Sequence, residues 1–341
     1  MQTRLAFLLL VGAASVAAAQ VGRSPDYHPG PRWLIGGERG WDYLAIDTIR
    51  RRLYVTHATQ VHVLDVESGR PIGLIANTPG VHGVTFAYDL RKGFISNGRD
   101  TSVTVFDLES LDTLARIKVT GANPDAITYD QASGRVFTFN ARSASATAID
   151  AKTHAVAGTI TLGGKPEFAV TDGKRMYVNI EDKSEIVVFD PRTLEIAAHW
   201  PLRPCEEPTG MAIDRAHRRL FVGCGNKLMA VVDADRGTVV TTLPIGGGVD
   251  GTAFDPGTQL AFSSNGDGNI TVVHEDSPTS FRVVATVATQ QYARTMTVDL
   301  KTHRLFTAAA EILPAAAPTA AEPNPRPTVK PGTFTVLVIE P

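Results

Sequence analysis

Asp42-Tyr43-Leu44-Ala45-Ile46-Asp47, then Leu53-Tyr54-Val55-Thr56-His57, then Gln60-Val61-His62-Val63-Leu64-Asp65 is the stretch that decides the fold. Apolar and polar side chains alternate with a period of two, β-branched and aromatic residues are frequent, and no apolar stripe of helical period runs through it. These are strands separated by short turns. A fourth strand follows in each unit, as in Leu114-Ala115-Arg116-Ile117-Lys118-Val119 and Val239-Val240-Thr241-Thr242-Leu243. The unit recurs seven times between Trp41 and Phe306, and Asp42, His82, Asp125, Glu167, Thr209, Asp250 and Arg294 occupy one equivalent position at spacings of 40, 43, 42, 42, 41 and 44. Four antiparallel strands per repeat of this length predict an all-β, seven-bladed β-propeller, in which repetition around an axis leaves only short edges.

The last unit lacks a strand. Its expected strands are 295–299, 304–308 and 333–339, after which the sequence ends, whereas Arg32-Trp33-Leu34-Ile35-Gly36-Gly37 reads as a closing strand ahead of the first full unit. The expectation is that this N-terminal strand joins the last blade and seals the ring. Residues 20–341 then form one propeller domain, a size that repeat rings reach without splitting. The 43% hydrophobic content and 30 glycines suit many short strands and turns. A formal charge of −2 gives no basic excess to advertise nucleic acid.

Residues 1–19 read as a signal peptide. Arg4 precedes the short apolar run Leu5-Ala6-Phe7-Leu8-Leu9-Leu10-Val11, and Ala17-Ala18-Ala19 supplies an A-x-A cleavage site before Gln20. The run is short for a membrane span, so a periplasmic or secreted protein with no span after cleavage is expected. Export makes a disulfide the leading assignment for Cys205 and Cys224, which flank the first two strands of blade five at one end; reduced packing cysteines or a two-thiolate metal site are the alternatives.

Leu53-Tyr54-Val55-Thr56-His57, Met176-Tyr177-Val178-Asn179 and Leu220-Phe221-Val222-Gly223, followed by strands such as Ser102-Val103-Thr104-Val105-Phe106-Asp107, resemble YVTN repeats. Over residues 31–341 the chain is similar to the YVTN-repeat (YncE-like) family of exported seven-bladed propellers. It departs from the pattern where His57 stands in place of Asn and where blade seven reads Phe306-Thr307-Ala308-Ala309. The resemblance implies a periplasmic or secreted binding protein, with single-stranded DNA binding suggested for one branch and lactone hydrolysis for more distant propellers.

In a propeller the innermost strand of each blade starts at one mouth of the channel, so the seven equivalent residues are expected to form a ring there. Four carboxylates (Asp42, Asp125, Glu167, Asp250), one imidazole (His82), one hydroxyl (Thr209) and one guanidinium (Arg294) would meet in a funnel. Converging carboxylates raise one another's pKa values or attract a cation. The ring reads as a solvated scaffold, a small-ligand or metal site, or a catalytic site. A metal would be held by Asp42, His82, Asp125, Glu167 and Asp250, with oxygen ligands favouring Ca²⁺ or Mg²⁺ and His82 leaving Zn²⁺ open. The Asp ending the third strand of blades one to five (Asp65, Asp107, Asp150, Asp190, Asp233) has the natural task of bonding turn amides.

The Pro/Ala-rich segment 314–331 is expected to be a flexible insertion without strand structure, either inert or a flap that carries Arg326 and Lys330 toward the acidic ring. No G-x-S-x-G elbow, H-E-x-x-H helix, Walker loop or dinucleotide fingerprint is present. The functional expectation is a monomeric, non-catalytic propeller binding a small molecule or protein at its channel face. The alternatives are a metal-dependent lactonase-type hydrolase with unassigned catalytic residues, and a nucleic-acid platform on which Trp41, Tyr43 and Tyr292 stack bases.

Overall fold

The computed structural model describes residues 26–38, 40–315 and 328–341. The expected leader at 1–19 and the middle of the 314–331 segment, with Arg326, lie outside the described residues. Within them the chain forms seven four-stranded antiparallel sheets and one two-stranded ladder. Blade one is Trp41–Asp47, Arg52–His57, Gln60–Asp65 and Pro71–Ile75, in sequence order, and blades two to six repeat that order. Innermost strands pack on the innermost strands of both neighbours, from blade one round to blade seven and back, which makes a closed seven-bladed propeller. The helical content among the described residues is three short 3-10 turns, and no helix is long and apolar enough to cross a membrane.

Blade seven is composite. Met296–Val298, Leu305–Ala309 and Thr335–Glu340 are joined by the N-terminal strand His28–Leu34, which pairs antiparallel with Thr335–Glu340 from His28↔Glu340 to Leu34↔Thr335. The strand starts and ends earlier than 32–37. Ile35 and Gly36 both donate their N–H to Phe334 O at 2.9 Å, and Gly36 and Gly37 have φ of 75° and 90°, a conformation that turns the chain out of the sheet. At the other end Pro29 and Pro31, which donate no hydrogen bond, are accommodated because this is the outer strand and a register shift lies between Pro29 and Arg32.

The apolar cores lie between blades. Phe137 and Phe139 of blade three pack with Met176, Val178 and Phe189 of blade four. At the closure, Leu53, Val55 and Leu64 of blade one meet Phe306, Phe334, Val336 and Val338 of blade seven, with Trp33 against Phe306 at 5.5 Å. His57 is buried in that seam, stacked on Phe334 at 4.3 Å and 3.3 Å from His62 Nε2. Where blades two and three carry Asn, Asn97 and Asn140 instead donate to hydroxyls of the next strand, Ser102 and Thr104 or Ser145 and Thr147.

The third-strand aspartates hold turns. Asp65 Oδ1 accepts the N–H groups of Glu67 and Ser68, and Asp107, Asp150, Asp190 and Asp233 do the same two and three residues on. The ends of the Pro/Ala-rich segment depart from expectation. Ile312–Leu313 pairs with Thr328–Val329 as a short ladder, and Lys330 donates its N–H to Glu311 O and its Nζ to Glu311 Oε2 at 2.6 Å. Four residues can satisfy their backbone groups against one another even where the intervening sequence is rich in proline.

Cys205 and Cys224 are joined by a disulfide, with Cα atoms 5.5 Å apart and both side chains buried. The bond closes a loop of 19 residues in sequence, for which chain entropy gives a stabilisation of about 3 kcal/mol. The Cys205→Ala/Cys224→Ala double variant is expected to lose roughly that amount in urea unfolding, and a loss below about 0.5 kcal/mol would contradict the assignment.

Candidate functional site

The ring residues are positioned by a backbone device that alternation does not reveal. In blades one to six the pairing of the first and second strands shifts register at the ring position: between Trp41 and Leu44, Val81 and Val84, Pro124 and Ile127, Pro166 and Ala169, Pro208 and Met211, and Val249 and Gly251. Asp42, His82, Asp125, Glu167, Thr209 and Asp250 lie within these irregularities. A bulged residue is released from cross-strand pairing, so its side chain can be re-aimed. Neighbouring blades hold the released backbone: Ser96 Oγ donates to Asp125 O at 2.5 Å, Asn179 Nδ2 to Thr209 O at 2.6 Å, and Thr295 Oγ1 to Asp42 O at 2.8 Å across the closure.

All seven predicted ring residues line one cavity of about 430 Å³, together with Tyr43, Lys165, Glu181, Glu207 and backbone of the connecting loops. They do not act alike. His82 Nδ1 is 2.6 Å from Asp42 Oδ2 and 3.4 Å from Asp125 Oδ1, and one potential ligand atom from each of the three lies within 4.8 Å of the others. Glu167 and Asp250, expected in the same metal set, lie instead against cations. Glu167 Oε1 is 2.5 Å from Lys165 Nζ, which also bonds Glu181, and Asp250 Oδ2 is 3.1 Å from Arg294 Nε. Thr209 donates its hydroxyl to Val249 O at 2.9 Å and so serves the scaffold.

Burial sets the protonation of this funnel. It pushes Asp125 up to about 7, with the Asp42 and Asp250 charges adding to the effect and the His82 charge opposing it. Asp250 is raised to about 7 mainly by burial, against the pull of Arg294. Glu167 is raised to about 8 by burial and by the Asp125 charge. Burial opposes the charged form of His82, but its hydrogen bond to Asp42 and the charges of Asp125 and Asp42 outweigh that and raise it to about 9. At neutral pH the imidazolium therefore stands between two carboxyl groups, in the place where a cation would be held.

Lys165, Glu181 and Glu207 were not among the expected site residues. A signal for two of them exists in the repeat. Two residues before each ring position stand Gly40, Gly80, Asn123, Lys165, Glu207, Gly248 and Tyr292, and five of these (Gly80, Asn123, Glu207, Gly248, Tyr292) have positive φ. Of this second tier, Lys165, Glu207 and Gly248 line the same cavity as the ring. Of the aromatic residues expected near the mouth, Trp41 stacks on Phe334 at 5.4 Å and Tyr43 packs edge-on against Phe168 at 5.4 Å, whereas Tyr292 is 45% exposed. Tyr292 lines a shallower cavity of about 440 Å³ with Glu311, Ile312 and Leu313, which places the stem of the 314–331 segment beside the second tier.

The three raised carboxyls and the raised imidazole act in one direction on stability. Each binds protons more tightly folded than unfolded, so its contribution is complete below the unfolded values of 3.8 (Asp), 4.5 (Glu) and 6.5 (His) and is lost as pH rises through about 7 to 9. The thermal midpoint in chelator-treated buffer is expected to fall between pH 5 and pH 9. Glu167→Gln and Asp250→Asn should each flatten the slope, and a midpoint that climbs across this window would contradict the assignment.

No protein-family model matches the chain, and no curated protein matches it. Solved structures do match: 1810 chains in all. A chain from the crystal structure of a mitotic checkpoint complex is 16% identical, with a TM-score of 0.71 over 96% of this chain and 99% of the other. U3-55K is 8% identical, with a TM-score of 0.74 over 93% of this chain and 98% of the other. At such identities the likeness establishes the propeller fold alone, and function must be argued from the site.

Proposed function

We propose that this chain is an exported, non-catalytic binding propeller of the YVTN-repeat type that takes a cationic ligand, free or presented by a protein partner, at the mouth of its channel. One observation carries the reading: seven equivalent side chains from seven blades line a single cavity in which Asp125, Glu167 and Asp250 are held near neutrality by burial. A desolvated carboxyl that titrates near neutral pH holds its proton against the cost of a buried charge, and another cation can take that proton's place. Asp42, His82 and Asp125 form the candidate divalent-metal position, and Glu207, beside the Glu167 and Glu181 carboxylates that already hold the Lys165 ammonium, offers a carboxylate to a ligand ammonium group. The leader sequence, the YVTN-like strands and the Cys205–Cys224 disulfide support export, since such bonds persist in oxidising compartments.

A hydrolase reading has one specific observation in its favour, the three-ligand cluster of Asp42, His82 and Asp125 beside a second acidic group, Glu167. It requires a divalent ion on that cluster to polarise a lactone carbonyl, and lactone turnover that survives EDTA would rule it out. The nucleic-acid reading gains no such support, because Trp41 and Tyr43, two of the three aromatics it needs, are already packed on phenylalanines.

The test is calorimetric titration with Ca²⁺, Mg²⁺, Mn²⁺ and Zn²⁺, and with an alkyl diamine as the organic probe. At least one cation is expected to bind the parent chain and to lose roughly tenfold or more in affinity in Asp125→Asn or Asp250→Asn, with proton release on binding. Absence of binding by every probe, or binding indifferent to both substitutions, would overturn the proposal.

A further inference from the structure

A second cluster of titratable groups lies at the opposite end of the blades. Thr209 stands near the start of the innermost strand of blade five, Pro208–Asp214, and Asp214 ends it, so Asp214 is on the face away from the acidic mouth. Asp214 accepts the N–H of Ala216 at 2.9 Å and of His217 at 3.2 Å, which folds the imidazole back onto its own carboxylate. Glu275 arrives from blade six, on the third strand Asn269–Ser277, fixed by its N–H to Gln259 O at 2.9 Å. His217 Nδ1 lies 2.8 Å from Asp214 Oδ2 and 3.1 Å from Glu275 Oε1, and one potential ligand atom from each residue falls within 4.8 Å of the others.

The turn chemistry of the fold does not account for Glu275. Asp255 of blade six meets an imidazole from the next blade, His303, at 2.6 Å, yet among the described residues no second carboxylate joins that pair. Glu275 is 3% exposed, and its Oε2 is buried without a hydrogen-bond partner. A buried carboxylate oxygen left unpaired is costly, and its approach to Asp214 becomes a hydrogen bond only when one of the two carries a proton. Burial, followed by the Asp214 charge, pushes the Glu275 carboxyl up to about 7. The two carboxylates are buried while His217 is partly exposed, which leaves a path from solvent.

We propose that Asp214, His217 and Glu275 bind a divalent transition-metal ion of the zinc or manganese kind, which staples blade five to blade six on the face opposite the mouth. Metal–ligand bonds of about 2.0–2.2 Å at angles between square and tetrahedral place neighbouring donors roughly 2.8–3.6 Å apart. The separations of 2.8 and 3.1 Å fall at the short end of that range. Two carboxylates match the charge of a dication, the imidazole tilts the set away from Ca²⁺, and the remaining positions fall to water. The unpartnered Oε2 supplies a further donor oxygen.

The test uses the full chain carrying Asp42→Asn and Asp125→Asn, which disables the cluster at the mouth, and titrates it with zinc chloride. One zinc per chain is expected, with affinity falling at least about tenfold in His217→Ala and in Glu275→Gln. Glu275→Gln keeps the shape of the side chain, and circular dichroism verifies that it folds. On the unsubstituted chain, manganese is expected to broaden the amide resonances of Ala216, His217 and Glu275. Lack of zinc uptake by the mouth-disabled chain, uptake unchanged by both substitutions, or manganese broadening confined to the mouth would each overturn the proposal.

Discussion

The antiparallel ladder between His28–Leu34 and Thr335–Glu340 is the contact on which the rest of the molecule depends. A blade is apolar on both faces, and its core is completed only by the next blade. Without closure, Phe306, Phe334 and Val336 on one side and Leu53, Val55 and Leu64 on the other would face water. Those residues are buried because the two ends of the chain share a sheet. The same closure lets Thr295 donate to the carbonyl of Asp42, so the first and last blades are joined at the channel wall as well as at the rim.

Closure turns a linear period into a point of convergence. Residues more than 250 positions apart in sequence, Asp42 and Arg294, line one cavity because each occupies the same place in its own repeat. Convergence alone would produce an acidic funnel open to water. The register shifts at the strand starts add direction, and the hydrogen bonds of Ser96, Asn179 and Thr295 from neighbouring blades make that direction rigid. The outcome is graded rather than uniform: Asp42 and Asp125 share His82, whereas Glu167 and Asp250 are answered by Lys165 and Arg294.

The fold was legible in the sequence because alternation and period are local properties that tertiary context reinforces. Asp42 and its six equivalents could be named for the same reason. What escaped was whatever depends on backbone detail or on pairs from different repeats. The closing strand ends at Leu34 because Gly36 and Gly37 adopt positive φ, a choice that the apolar run ending at Ile35 conceals. Lys165 and Glu207 line the cavity from two residues before the ring positions, where three other repeats carry glycine and so give no pattern of side chains to read. Lys330, which the flap alternative would carry toward the ring, is held by Glu311, its partner across the stem of the insertion. Glu275 offered no signal, since its meaning comes from Asp214 and His217 in the preceding blade.

The most direct test of this account removes the N-terminal residues through Leu34 and follows unfolding in guanidinium. The account predicts a loss of more than about 5 kcal/mol, or the disappearance of a single cooperative transition, as the seam between blades one and seven opens. A truncated chain that unfolds at the same denaturant concentration as the parent, with the same cooperativity, would contradict closure by the N-terminal strand and the convergence of side chains that follows from it.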